Sequence, residues 1–98
     1  MPDRVPSLKA SRTELDALDL SLVQVLARRS EMILDVIRYK RANSMAVVDR
    51  NREDEMLEGI ERVAESEGLD PRIARHVLRA VIDAFTLLEV EELGPDQS

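Results

Sequence analysis

The chain contains no cysteine. Disulfide cross-links and thiolate metal sites are therefore excluded. Aromatic rings are nearly missing as well, with one tyrosine, Tyr39, and one phenylalanine, Phe85. That is too little for a stacking platform under single-stranded nucleic acid. The net charge of −6 argues against nucleic acid and anionic membranes as partners. No apolar run approaches the ~20 residues of a bilayer span. The start, Met1-Pro2-Asp3-Arg4-Val5-Pro6, lacks the apolar core of a signal peptide, so the expected location is the cytoplasm. Lysine is scarce too: Lys9 and Lys40 stand among 14 basic residues. The others are arginines, which grip carboxylates bidentately. Strand patterning is absent, because no apolar–polar alternation is bounded by turn signals.

What is present is helical periodicity. At 98 residues the chain is expected to form a single domain, with its core at about 8–93 and flexible ends at 1–7 and 94–98. Three apolar stripes recur at helical spacing. The first runs from about Ser11 to Ala42 through Leu15, Leu18, Leu22, Val25, Leu26, Ile33, Val36 and Ile37. Ser11 is its expected N-cap, with Glu14 completing a capping box, and Asn43-Ser44 breaks it. The second starts at Asp49 as N-cap and carries Met56, Leu57, Ile60, Val63 and Ala64. Gly68 follows it as the C′ residue. The third starts at Asp70-Pro71, an N-cap followed by proline at the first helical position. Its stripe is Ile73, Ala74, Val77, Leu78, Val81, Ile82, Phe85 and Leu88, and it stops before Gly94-Pro95.

The first helix would be roughly 45 Å long at 1.5 Å per residue. A compact chain of this size has a radius of gyration of only about 13 Å. The ends of so long a helix would project bare apolar surface unless a second copy covered it. A homodimer with paired long helices is the expected solution.

Three cations lie on or beside the first stripe, where unpaired charge is costly. Arg12 falls three residues before Leu15, Arg29 three after Leu26, and Lys40 three after Ile37. Arg29 and Lys40 come within about 20° of each other around the helix, roughly 16 Å apart along it. Two such long arms suit a small anion held between them. Arg12 lies about 25 Å from Arg29 along the axis. It can join that pocket only from a neighbouring chain. A lone arginine beside a stripe ordinarily snorkels to water, and Arg28, Arg38 and Arg41 fit that description. On the second helix, Arg52 and Glu53 each precede stripe residues by four. Glu53 also suits the helix dipole. Glu89 lies four after Phe85 on the third stripe. It is either a desolvated carboxyl or the point where the helix emerges into water. His76, the lone histidine, falls on the outer side.

In this order and spacing, Arg12, the Leu18-Asp19 step, Arg29, Lys40 and the run Val48-Asp49-Arg50-Asn51-Arg52-Glu53 resemble the all-helical AroQ-type (type II) chorismate mutases. The resemblance covers about residues 8–93. It implies an all-α fold of one long and two shorter helices per chain, forming an intertwined homodimer with two equivalent sites. It implies conversion of chorismate, a small dicarboxylate, to prephenate by a Claisen rearrangement, without cofactor or metal. It places that chemistry in the shikimate pathway of aromatic amino acid biosynthesis. Whether primary or secondary metabolism lies downstream stays open.

The resemblance assigns Arg12 of the neighbouring chain and Arg29 to the substrate carboxylates. Lys40 would contact a carboxylate and the ether oxygen. Asp49, through its backbone, and Glu53 would hold the C4 hydroxyl. Arg52 would support the electrostatics, and Glu89 would hydrogen-bond the ether oxygen. Lys40, Glu89 and Arg29 are the expected catalytic groups. Two positions depart from the common bacterial pattern. Glu89 stands where glutamine is usual, as in fungal members, and it donates only while protonated. Phe85 stands where a small polar residue is common, and it shapes the pocket. Related activities on the same scaffold remain alternatives: 4-amino-4-deoxychorismate mutase or isochorismate pyruvate lyase. A catalytically silent helical dimer is another.

Overall fold

A computed structural model describes residues 7–94. Apart from Ser7 and Gly94, the ends expected to be flexible lie outside the described residues. The chain is all-α, with α1 at Leu8–Ala42, α2 at Arg50–Ser66 and α3 at Pro71–Leu93. It divides into two compact units, one ending at Met32 and the other beginning at Ile33. No described helix is long and apolar enough to cross a membrane.

The helix boundaries follow local chemistry. The expected cap of α1 needs correction. Ser7, not Ser11, caps the helix: its hydroxyl oxygen accepts from the Ala10 N–H at 3.0 Å. Leu8, Lys9 and Ala10 are strong helix formers, so the helix extends back one turn to the earlier serine. At the other end Ser44 adopts φ 52°, a left-handed conformation that ends α1. The Met45 N–H then closes onto the Lys40 carbonyl at 2.9 Å. Asp49 caps α2 as the sequence implies, accepting from the Arg52 N–H at 3.0 Å. The α2 end is a Schellman motif. Gly68, at φ 75°, lets its N–H reach the Glu65 carbonyl at 3.3 Å, while the Leu69 N–H reaches Ala64 at 2.9 Å. Asp70 caps α3 through the Arg72 N–H at 2.9 Å, and Pro71 opens the helix.

The unit that ends at Met32 holds the first 25 residues of α1 (8–32). Four members of its expected stripe, Leu15, Leu18, Leu22 and Val25, are more than half exposed in the single chain. Leu20 and Val23, off that stripe, are exposed as well.

The second unit contains the end of α1 with α2 and α3. The last two helices pack against each other. Ion pairs Arg75–Glu61 and Arg79–Glu53 mark them as an antiparallel hairpin about the Gly68 turn. Its buried apolar residues are Ile37, Val47, Leu57, Ala64, Ala74 and Ile82. Leu57, at 1% exposure, is the most enclosed large side chain among them. Burying such a side chain stabilises the fold by about 1.5–3 kcal/mol. Four expected core positions, Val36, Val63, Ile73 and Val77, stay exposed. The end of α1 is tied to α3 by the Arg41 guanidinium, which donates to the Glu92 carbonyl at 2.6 Å.

Candidate active site

The site builds around Lys40, in the last turn of α1. Its ammonium donates to the Val47 carbonyl at 2.7 Å and to Glu89 Oε1 at 3.2 Å. The first bond holds the side chain against the α1–α2 connection, where Val47 is buried. The second reaches across to α3. Both side chains are shielded, at 15% exposure for Lys40 and 9% for Glu89. Glu89 is therefore a buried carboxyl on the inward face of α3. The helix does not emerge into water at that position.

Lys40 also lines a recess of about 290 Å³ together with Met45, Ala46, Val48, Asp49, Arg50 and Asn51. Asp49 sits at its rim in extended conformation. The aspartate side chain is committed to the Arg52 N–H, and its carbonyl accepts from the Glu53 N–H at 3.0 Å. The Asp49 N–H makes no hydrogen bond among the described residues.

Glu53 lies on the first turn of α2 and is buried, at 8% exposure. Its Oε1 accepts from Arg79 Nη1 on α3 at 2.8 Å, and Arg50 Nη1 stands 3.7 Å away. Arg79 also reaches Asp83 at 3.4 Å. The hydrogen bond to Glu53 is the foremost cause that holds the Arg79 guanidinium above its ordinary range, despite some opposing desolvation. Arg79 was not legible from apolar periodicity, since it falls beside the α3 stripe. The usable signal was the hairpin itself. Folding α2 back on α3 about Gly68 sets the basic side chains of α3 opposite the acidic ones of α2.

The other expected residues are placed as follows. Arg52 is exposed in the first turn of α2, and Phe85 is half-buried on α3. Arg12 is exposed and Arg29 half-buried, and both belong to the unit that ends at Met32. His76 is exposed. The second unit thus joins Lys40 directly to Glu89 and sets Lys40 and Asp49 on one recess. Chemically, this arrangement offers a cation, a carboxyl and a backbone N–H to a small polar ligand. No serine or histidine stands in it as a nucleophile or base.

The sequence profile of the family described as chorismate mutase type II matches residues 11–90. The chain belongs to the chorismate mutase type II family. It is 32% identical over 78 residues to the T-protein of Enterobacter agglomerans, covering 80% of this chain and 21% of that protein. It is 33% identical over 73 residues to the T-protein of Haemophilus influenzae, covering 74% of this chain and 19% of that one. A bifunctional chorismate mutase/prephenate dehydratase of Buchnera aphidicola subsp. Schizaphis graminum is 24% identical over 87 residues, or 89% of this chain and 23% of that protein. The chain thus spans about a fifth of the length of these curated relatives.

Proposed function

We propose that this chain is a chorismate mutase, an isomerase that rearranges chorismate to prephenate as a homodimer in the cytoplasm. The observation that carries the reading is the shielded Lys40–Glu89 pair beside the Asp49 recess, in a chain of the chorismate mutase type II family. A pericyclic rearrangement needs neither nucleophile nor general base. It needs the substrate held in a compact, chair-like geometry. It also needs donors aimed at the ether oxygen, where negative charge grows as the C–O bond breaks.

In this reading Lys40 meets the ether oxygen and a carboxylate, and Glu89 hydrogen-bonds the ether oxygen. Arg29, with Arg12 of the second chain, grips the carboxylates. The Asp49 N–H and Glu53 hold the C4 hydroxyl. Arg52 adds positive potential, and Phe85 forms part of the pocket wall. No cofactor takes part.

The dimer is supported by what α1 leaves bare. Leu15, Leu18, Leu20, Leu22, Val23 and Val25 are exposed. At 100° per residue they spread over about 220° of the helix circumference. So broad an apolar arc calls for cover on more than one side, and a second copy of the same chain supplies it.

Product analysis on purified protein tests the reading. Prephenate should form from chorismate with no pyruvate released. Pyruvate from isochorismate without prephenate would instead support the lyase. Turnover of neither substrate would support a silent module.

A further inference from the structure

Glu53 is asked, in the reading above, to receive the substituent at the substrate's C4, and the structure surrounds it unevenly. Both nearby guanidinium groups approach the same oxygen, Oε1: Arg79 at 2.8 Å and Arg50 at 3.7 Å. Oε2 accepts no hydrogen bond among the described residues. Arg79 is the closer cation and the more shielded, at 37% side-chain exposure against 79% for Arg50. It comes from α3 while Glu53 comes from α2, so the hairpin fixes the pair. Asp83, at 3.4 Å from Arg79, lies on the solvent side at 63% exposure. It competes only weakly for the guanidinium, because exposed ion pairs are weak.

We infer that Arg79 is a positioning residue that offsets the charge of Glu53, leaving Oε2 as an acceptor that selects a hydroxyl over an amine at C4. The inference rests on the chorismate reading and deepens it. A guanidinium-paired carboxylate still accepts a hydrogen bond from a neutral hydroxyl. A protonated amine gains much less there, because the carboxylate's charge is already met and the guanidinium repels the newcomer. Selectivity of this kind combines an attraction with a repulsion built against the competitor.

The test compares kcat/KM for chorismate and for 4-amino-4-deoxychorismate in full-length wild-type protein, R79Q and R79K, with helix content checked by circular dichroism. Wild-type protein should prefer chorismate. In R79Q the chorismate-to-amine ratio should fall by about tenfold, the size of a typical coupling between contacting groups. Loss of structure alone would lower both rates together and leave the ratio fixed. R79K keeps the charge but loses the planar fork. If R79Q does not fold, R79M takes its place by the same criterion, a fallen ratio supporting the inference and an unchanged ratio overturning it, while R79K, which keeps the charge, should hold the wild-type ratio. Wild-type turnover of chorismate with a folded R79Q of unchanged ratio overturns the inference alone. Wild-type protein that turns over neither substrate, or prefers the amine, overturns the chorismate reading and the inference with it.

Discussion

Lys40 Nζ lies 3.2 Å from Glu89 Oε1, joining residues 49 positions apart in the sequence. The last turn of α1 and the later turns of α3 thus place a cation and a carboxyl on one shielded point. In the proposed reaction both groups serve the same ether oxygen. A ligand that takes over Lys40 leaves Glu89 facing the incoming negative charge, and Glu89 donates only while it carries a proton.

Glu89→Gln supplies a neutral amide donor of the same shape and should retain turnover, while Glu89→Ala removes the contact to the ether oxygen and should lower kcat by about 10²-fold or more. Steady-state kinetics on the two variants is the measurement. An alanine variant as active as wild type contradicts the role given to Glu89.

The second unit should depend on Leu57, which is 1% exposed. Leu57→Ala should lower unfolding free energy by about 2–5 kcal/mol, as cavity-forming core substitutions do. Val63→Ala, at an exposed position, should cost markedly less. Urea titrations of the two variants check the contrast at equal protein concentration.

Asp70 should govern part of the acid response. Hydrogen bonds from the Arg72 side chain, then from its backbone, hold the Asp70 carboxyl below its ordinary value of 3.8. A depressed carboxylate stabilises the fold above its unfolded value and loses that effect as pH falls through its folded one. Asp70→Asn keeps a capping side chain but not the charge. Its melting temperature should lie below wild type at neutral pH, and the gap should close only at pH values below 3.8. A gap that stays constant down to strongly acidic pH would exclude this contribution.

Much of the fold was legible because its boundaries are chemical. Asp49, Gly68, Asp70-Pro71 and Gly94 each mark a helix end for a stated reason, and each does so in the structure. Ser7 is not singled out by pattern, because Ser11 offers an equally good capping pattern one turn later. Within the site, periodicity singled out Lys40 and Glu89 as polar residues on apolar stripes, but did not pair them. That pairing depends on how the end of α1 meets α3, which no local pattern encodes. Arg79 lies off its stripe, so its contact with Glu53 follows only from the hairpin. Periodicity also names an apolar face without saying what covers it. Val63, Ile73, Val77 and the α1 leucines are apolar in sequence yet open in the single chain.

The proposed sharing of sites between chains has a direct consequence. Arg12→Ala and Arg29→Ala should each cripple activity in a homodimer. Mixed and allowed to exchange, the two variants should regain turnover, with one working site per heterodimer. One site then draws intact Arg12 and Arg29 from different chains, and the other lacks both. Mixtures no more active than their parts would place both arginines of a site in a single chain.

The central claim is tested most directly by following chorismate loss and prephenate formation with the purified wild-type chain. The predicted result is stoichiometric conversion to prephenate at about 10⁶-fold or more over the uncatalysed rate. Prephenate appearing no faster than in buffer alone would contradict it.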